Sequence, residues 1–138
     1  MILDTNVVSE PMKPRPNPAV SAWLNSQAIG TMFIAATSVA ELLLAARMTP
    51  EGKRKRELIA TVSEQLEVLF GPRVLPFDGS AAAAYGSLVS AARSRGRVVG
   101  VADGQIGAIA YVHGFTVVTR DAVPFQALGV PLINPWAQ

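Results

Sequence analysis

The chain contains no cysteine and a single histidine, His113. The first absence rules out disulfides and thiolate metal sites, and the second rules out zinc centres built on several imidazoles. A metal held by this protein must be bound through oxygen, which points to a hard cation, Mg²⁺ or Mn²⁺. Long apolar runs are missing as well. The most hydrophobic stretches are broken by Glu41, Asp103 or glycine and fall short of the roughly 20 residues that cross a bilayer. The first ten residues, MILDTNVVSE, lack a basic segment leading into an apolar one, so no secretory leader is expected. These absences suit a soluble, cytoplasmic protein with no membrane association.

What is present is a strongly apolar chain of 138 residues, half of them hydrophobic, with a mean hydropathy of +0.33. That length suits one domain, residues 1–138, with a core of its own. It is too short to bury so much apolar surface by itself, so a partner chain is expected to cover some of it. A homodimer of isologous, twofold type is expected, with a further apolar groove for a small protein partner, and the glycine-lined stretch near 100–107 can pack close to the sheet or to another chain. The net charge is only +2, from 12 basic and 10 acidic residues. With four acids gathered in one pocket, the remaining surface would carry twelve basic groups against six acidic ones. Such a distribution suits a polyanion cleaved at a metal.

Short apolar runs alternate with longer helical patterns. Strands are predicted over about 1–4, 32–36, 74–77, 115–119 and 131–133, and helices over about 18–27, 39–48, 50–70, 79–95, 101–113 and just after Asp121. Asn17 before Pro18, Thr37 or Ser38, and Asp78 read as N-caps, and Gly114 as a C-cap. The order gives an α/β fold of three layers, α/β/α, with a mostly parallel central sheet of four to five strands and helices on both faces.

Aspartate occurs only four times. Asp4 ends the first strand, Asp121 lies just past the fourth, and Asp103 sits in the first turn of the helix that leads into the fourth. Open α/β sheets bind ligands beyond the carboxyl ends of their strands. Asp78 reads as a cap alone. Glu41 sits in SVAELLLAA, a helix apolar nearly all round, which predicts burial. A buried carboxylate needs a cation, and no Lys or Arg lies within a turn on its face. Each acid also has a plainer reading: a turn for Asp4, an exposed stripe for Glu41, a favourable helix dipole for Asp103, a cap for Asp121. Clustered carboxylates repel, and divalent cations are what keep them together at neutral pH. Two such cations can activate water and stabilise a leaving oxygen in phosphodiester hydrolysis. Arg120, next to Asp121, is placed to touch the scissile phosphate. The basic runs at 53–56 and 93–97 read as solvated faces or as tracks for an RNA backbone.

Four segments carry a family likeness: ILDTN at 2–6, SVAEL at 38–42, VADGQIGAIA at 101–110 and VTRD at 118–121. In this order and spacing the chain resembles the PIN-domain family, specifically the VapC-type toxins of bacterial toxin–antitoxin pairs. NPW at 134–136 resembles the FitB-like subgroup. The resemblance implies a PIN-like fold over the whole chain and metal-binding, catalytic acids at Asp4, Glu41, Asp103 and Asp121. Thr5, Asn6 and Thr119 are implied as polar helpers. It also implies a Mg²⁺- or Mn²⁺-dependent endoribonuclease that is inhibited by a small, DNA-binding cognate antitoxin and that forms a homodimer. Many relatives carry a further aspartate in the loop after strand four. Here that stretch is Ala122-Val123-Pro124, which leaves Asp121 alone on that side.

Other acidic α/β pockets fit less well. A receiver domain places a lysine at its last strand's end, and the lysines here are Lys13, Lys53 and Lys55. A dehalogenase-type phosphatase needs an acid two residues past the first, where this chain has Asn6. A reading from another class remains: a nuclease-weak binding module that complexes a DNA-binding antitoxin for operon regulation.

Overall fold

The computed structural model describes residues 1–137. Among these residues five strands alternate with seven α-helices: β1 (Ile2–Leu3), α1 (Thr5–Ser9), α2 (Pro18–Asn25), β2 (Ile34–Ala35), α3 (Ala36–Arg47), α4 (Lys53–Leu69), β3 (Val74–Leu75), α5 (Gly79–Ser94), α6 (Val101–His113), β4 (Val117–Val118), α7 (Ala122–Leu128) and β5 (Leu132–Ile133). Two parallel ladders, β1-β4-β5 and β2-β3, meet at the parallel bridge between Ile2 and Phe33. Leu3 N donates to Phe33 O and Phe33 N to Met1 O, both at 2.9 Å. The order across the sheet is therefore β3-β2-β1-β4-β5, all parallel, and strand order reverses between β1 and β4.

Alternating side chains divide the core. Ile2, Ala35 and Val117 face the layer of α5, α6 and α7. Leu3, Ile34 and Val118 face the layer that includes α1, α3 and α4. This is the period of two expected of strands buried on both faces. The three layers and the parallel sheet match the expectation. The strands are shorter than expected because the chain turns into a helix at once: α1 begins one residue after Asp4, and α3 directly after Ala35. Flanking residues extend the pairing, as where Asp4 N donates to Val118 O at 2.9 Å.

Several local expectations hold. Asn17 Oδ1 accepts from Ala19 N at 2.9 Å, and Asp78 Oδ1 accepts from Ala81 N at 3.0 Å. Gly114 ends α6 in the left-handed region at φ 66°.

Four others are corrected. Helix α1 was not expected; Asp4 caps it, and Val7 and Val8 anchor it in the core. Thr37 and Ser38 do not cap α3. They lie inside its first turn, and their hydroxyl oxygens are buried with no hydrogen-bond partner among the described residues. Helix α3 is not buried all round either: Leu44 is 62% exposed and Met48, just past its end, 75%, because no element among the described residues covers that stripe. Finally, the glycines of α6 serve packing within the chain. A Cβ on Gly104 would stand 2.7 Å from Tyr85 Cε2, and one on Gly107 would run into Leu128 Cδ1. These two positions set the distance of α6 from α5 and α7. Among the described residues, no helix is long and apolar enough to cross a membrane.

Candidate active site

Asp4 stands at the carboxyl end of β1 and is 5% exposed. Its Oδ1 accepts from Thr5 N at 2.8 Å and from Thr5 Oγ1 at 3.4 Å. Its Oδ2 accepts from Thr119 Oγ1 at 2.9 Å and from Asn6 Nδ2 at 3.4 Å. Thr119, fully buried at the end of β4, also accepts from Asp121 N at 3.0 Å. Asn6 Oδ1 accepts from Arg120 N at 3.3 Å. The ends of β1 and β4 are thus laced together at the point where strand order reverses. Donors from 115 residues apart fix one carboxylate there.

The other three acids come from three different elements. Glu41 projects from α3, Asp103 from the first turn of α6, and Asp121 from the residue before α7, which its side chain does not cap. Burial first, then the charges of Asp4, Asp121 and Glu41, push the Asp103 carboxyl up to about 6. Burial and then Asp4 raise Glu41 as well. For Asp103 these effects outweigh the helix dipole, which favours a charged carboxylate in a first turn. The four acids therefore share one electrostatic neighbourhood. The ion pairs among the described residues, Lys13–Glu10, Lys53–Glu57 and Lys55–Glu51, involve none of them.

The enclosed setting expected for Glu41 is not found. It is exposed, on the uncovered side of α3, although within electrostatic reach of Asp4. Among the described residues, no three acidic or histidine side chains gather tightly enough to hold one ion as they stand. The donor set fits a hard divalent cation in kind: oxygen only, negatively charged, self-repelling and without a protein cation.

The model of the PIN domain family matches residues 1–130. The chain belongs to the PIN-domain family. It is 43% identical over 136 residues to a protein named VapC ribonuclease Y4jK from Sinorhizobium fredii, covering 99% of this chain and 97% of that one. It is 42% identical to Toxin FitB of Neisseria gonorrhoeae, covering 99% and 98%. Among solved structures, FitAcB from Neisseria gonorrhoeae superposes with a TM-score of 0.95 at 42% identity, covering 99% of both chains. A structure of FitAB bound to a DNA fragment, IR36, gives 0.94 at 41%, covering 98% of this chain and 94% of that one.

This PIN domain also has a buried acid that the sequence did not single out. Glu10, 4% exposed, pairs with Lys13 Nζ at 2.7 Å and accepts from Asn17 N at 3.0 Å. The Lys13 contact above all, helped by Asn17 and the charge of Arg120, holds its carboxyl below the usual range. The three-residue spacing to Lys13 was the available signal. His113 is exposed and stacks on Phe115, away from the acids. In the basic runs, Lys53 and Lys55 pair with nearby glutamates and Arg95 donates to Ala127 O at 2.8 Å. Local partners of this kind suit solvated faces.

Proposed function

We propose that this PIN domain is the toxin of a type II toxin–antitoxin pair, an endoribonuclease that hydrolyses RNA phosphodiesters with Mg²⁺ or Mn²⁺ held by Asp4, Glu41, Asp103 and Asp121. The observation that carries the reading is Asp103, raised to about 6 by burial and by the three other acids. Four carboxylates in one electrostatic neighbourhood, with Glu41 and Asp103 raised, make a strong site for a hard cation. When bound, that cation supplies charge neutralisation and an activated water. The chain's own residues do the rest. Thr5, Asn6 and Thr119 hold Asp4 still, so that its remaining lone pairs keep one direction. Glu41 and Asp103 close the pocket from the two helical layers. Arg120 stands at the rim, where a scissile phosphate would arrive.

Partners follow from the relatives, one named a ribonuclease and others solved as two-component complexes, in one case on DNA. We assign this chain a small DNA-binding antitoxin and a homodimeric state. A groove of about 310 Å³ between α1, α3 and α4, lined by Met12, Pro14, Leu42, Ala46, Leu58 and Val62, offers an apolar seat for the antitoxin.

Asp103→Asn tests the reading. Its side chain makes no hydrogen bond that the fold needs, so the variant should fold and lose RNA cleavage in Mn²⁺ by about 10²-fold or more. Cleavage at the wild-type rate would overturn the carboxylate mechanism. Wild-type protein that binds its antitoxin yet cuts no RNA would favour the nuclease-weak module.

A further inference from the structure

Arg120 is fixed at its backbone and held at its side chain by different means. Its N–H donates to Asn6 Oδ1, its neighbour Asp121 donates from N to Thr119 Oγ1, and that hydroxyl donates to Asp4. Its exposed guanidinium lies over the indole of Trp136, with Cζ 5.3 Å from the ring centroid. Trp136 belongs to the Asn134-Pro135-Trp136 turn after β5. Asn134 Oδ1 accepts from Trp136 N at 3.0 Å, Ala137 N donates to Asn134 O at 3.1 Å, and the half-buried indole packs against the core cluster on the α1, α3 and α4 side of the sheet. The ring is therefore a fixed shelf.

A guanidinium held over an aromatic ring keeps its N–H donors for another acceptor, whereas one gripped by a carboxylate spends them. Arg120 makes no ion pair among the described residues. Glu10 lies within reach of its charge, but that carboxylate is taken by Lys13 and Asn17. The result is a fork on a residue whose backbone is tied to Asn6, a donor to Asp4, and whose neighbour is Asp121, close to acids that a polyanion needs a cation to approach.

We propose that Trp136 is a positioning residue for the substrate. Its indole holds the Arg120 guanidinium next to the acids, so that its N–H fork takes one phosphate of the RNA backbone through two hydrogen bonds. The inference rests on the nuclease reading above.

The test follows cleavage of a fluorogenic RNA oligonucleotide by the full chain in Mn²⁺ across a salt series. Arg120→Leu raises KM about ten-fold, with kcat within about two-fold, and lowers the slope of log affinity against log salt by about 0.7. Trp136→Leu raises KM about three- to five-fold and lowers the slope part-way, while Trp136→Phe, which keeps an aromatic face, stays near wild type. The double variant is no worse than Arg120→Leu alone. A tryptophan that merely propped the turn would lower the melting temperature and the active fraction but leave KM and the salt slope untouched.

Because the indole is packed, Trp136→Leu has a companion that leaves the core alone. Arg120→Lys keeps the charge and loses the plane and the fork, and it should raise KM about three- to five-fold. Wild-type KM in Arg120→Lys, or additive effects in the double variant, would sink the proposal while leaving the nuclease reading intact. Failure of the wild-type chain to cut RNA at all would sink both.

Discussion

The two helical layers of this PIN domain are finished to different degrees. On one side α6 lies so close to α5 and α7 that Gly104 and Gly107 have no room for a methyl group. On the other, α3 and α4 leave an apolar groove between them and α1, and the outer stripe of α3 exposes Leu44 and Met48. Each layer nevertheless lends one acid to the same electrostatic neighbourhood, Asp103 from the closed side and Glu41 from the open side. The contrast teaches that these acids sit on a seam. One side is set by the chain's own packing, and the other borders the surface a partner would cover. An antitoxin seated in the groove would lie against the helix that carries Glu41, giving a short physical route from binding to inhibition.

The largest effect expected at the seam is catalytic. Glu41→Gln should cost RNA cleavage about 10²-fold or more, as Asp103→Asn does, measured as kcat/KM in Mn²⁺. A Glu41 variant within three-fold of wild type would mean that only the closed layer serves the chemistry. Next comes packing. Gly104→Ala should lower stability by about 1–2 kcal/mol, since overpacking against Tyr85 and Val89 exceeds alanine's gain in helix propensity. Gly86→Ala, in α5 with nothing within 4 Å, should instead gain about 0.5–1 kcal/mol. Chemical denaturation of the two variants reads the difference, and equal effects would erase the claim that the layer is closed at Gly104.

A smaller effect concerns pH. The Asp103 carboxyl sits at about 6 in the folded chain against its ordinary value of 3.8, so the folded state holds that proton more tightly than the unfolded one. Its contribution to stability is greatest below the unfolded value and is lost as pH rises through about 6. In chelator, Asp103→Asn should therefore melt above wild type near pH 7, by on the order of 1 kcal/mol after discounting for the solvent that still reaches this carboxyl. The advantage should shrink toward about pH 5, and an advantage that grew on acidification would reverse the sign of the coupling. The smallest effect belongs to the open layer. Leu44→Ser should change the stability of the isolated chain by no more than about 0.5 kcal/mol while weakening capture of the antitoxin. A loss of core size would show that the stripe is already covered.

Asp4 carries a tension that only the folded chain reveals. From the sequence, replacing an acid in a repelling cluster reads as harmless to the fold. In the structure, donors surround both of its oxygens, so the amide of Asp4→Asn would meet the N–H of Asn6 or the hydroxyl of Thr119. Relief of repulsion is offset by a mispaired buried donor, which costs about 1–3 kcal/mol. Asp103→Asn is the cleaner probe for that reason.

The sequence by itself determined the chemistry available and the local punctuation. The lack of cysteine and the single histidine restrict metal ligands to oxygen. The caps at Asn17 and Asp78 and the left-handed Gly114 set helix ends through bonds that span only a few residues. Four motifs in order carried the family. Tertiary structure decided what depends on distant neighbours. Helix α1 is five residues long with two β-branched valines, so neither period nor propensity announces it; burial of Val7 and Val8 and the cap at Asp4 make it form. Glu41 read as enclosed because its helix is apolar, but composition does not say which stripe of a helix the rest of the chain leaves uncovered. Thr119 meeting Asp4, Tyr85 filling the space over Gly104 and Trp136 lying under Arg120 are contacts between segments that the sheet brings together. Hydrogen bonds and periodicity act along a few residues and are written in the sequence. Which surfaces meet is settled only when the layers close on one another.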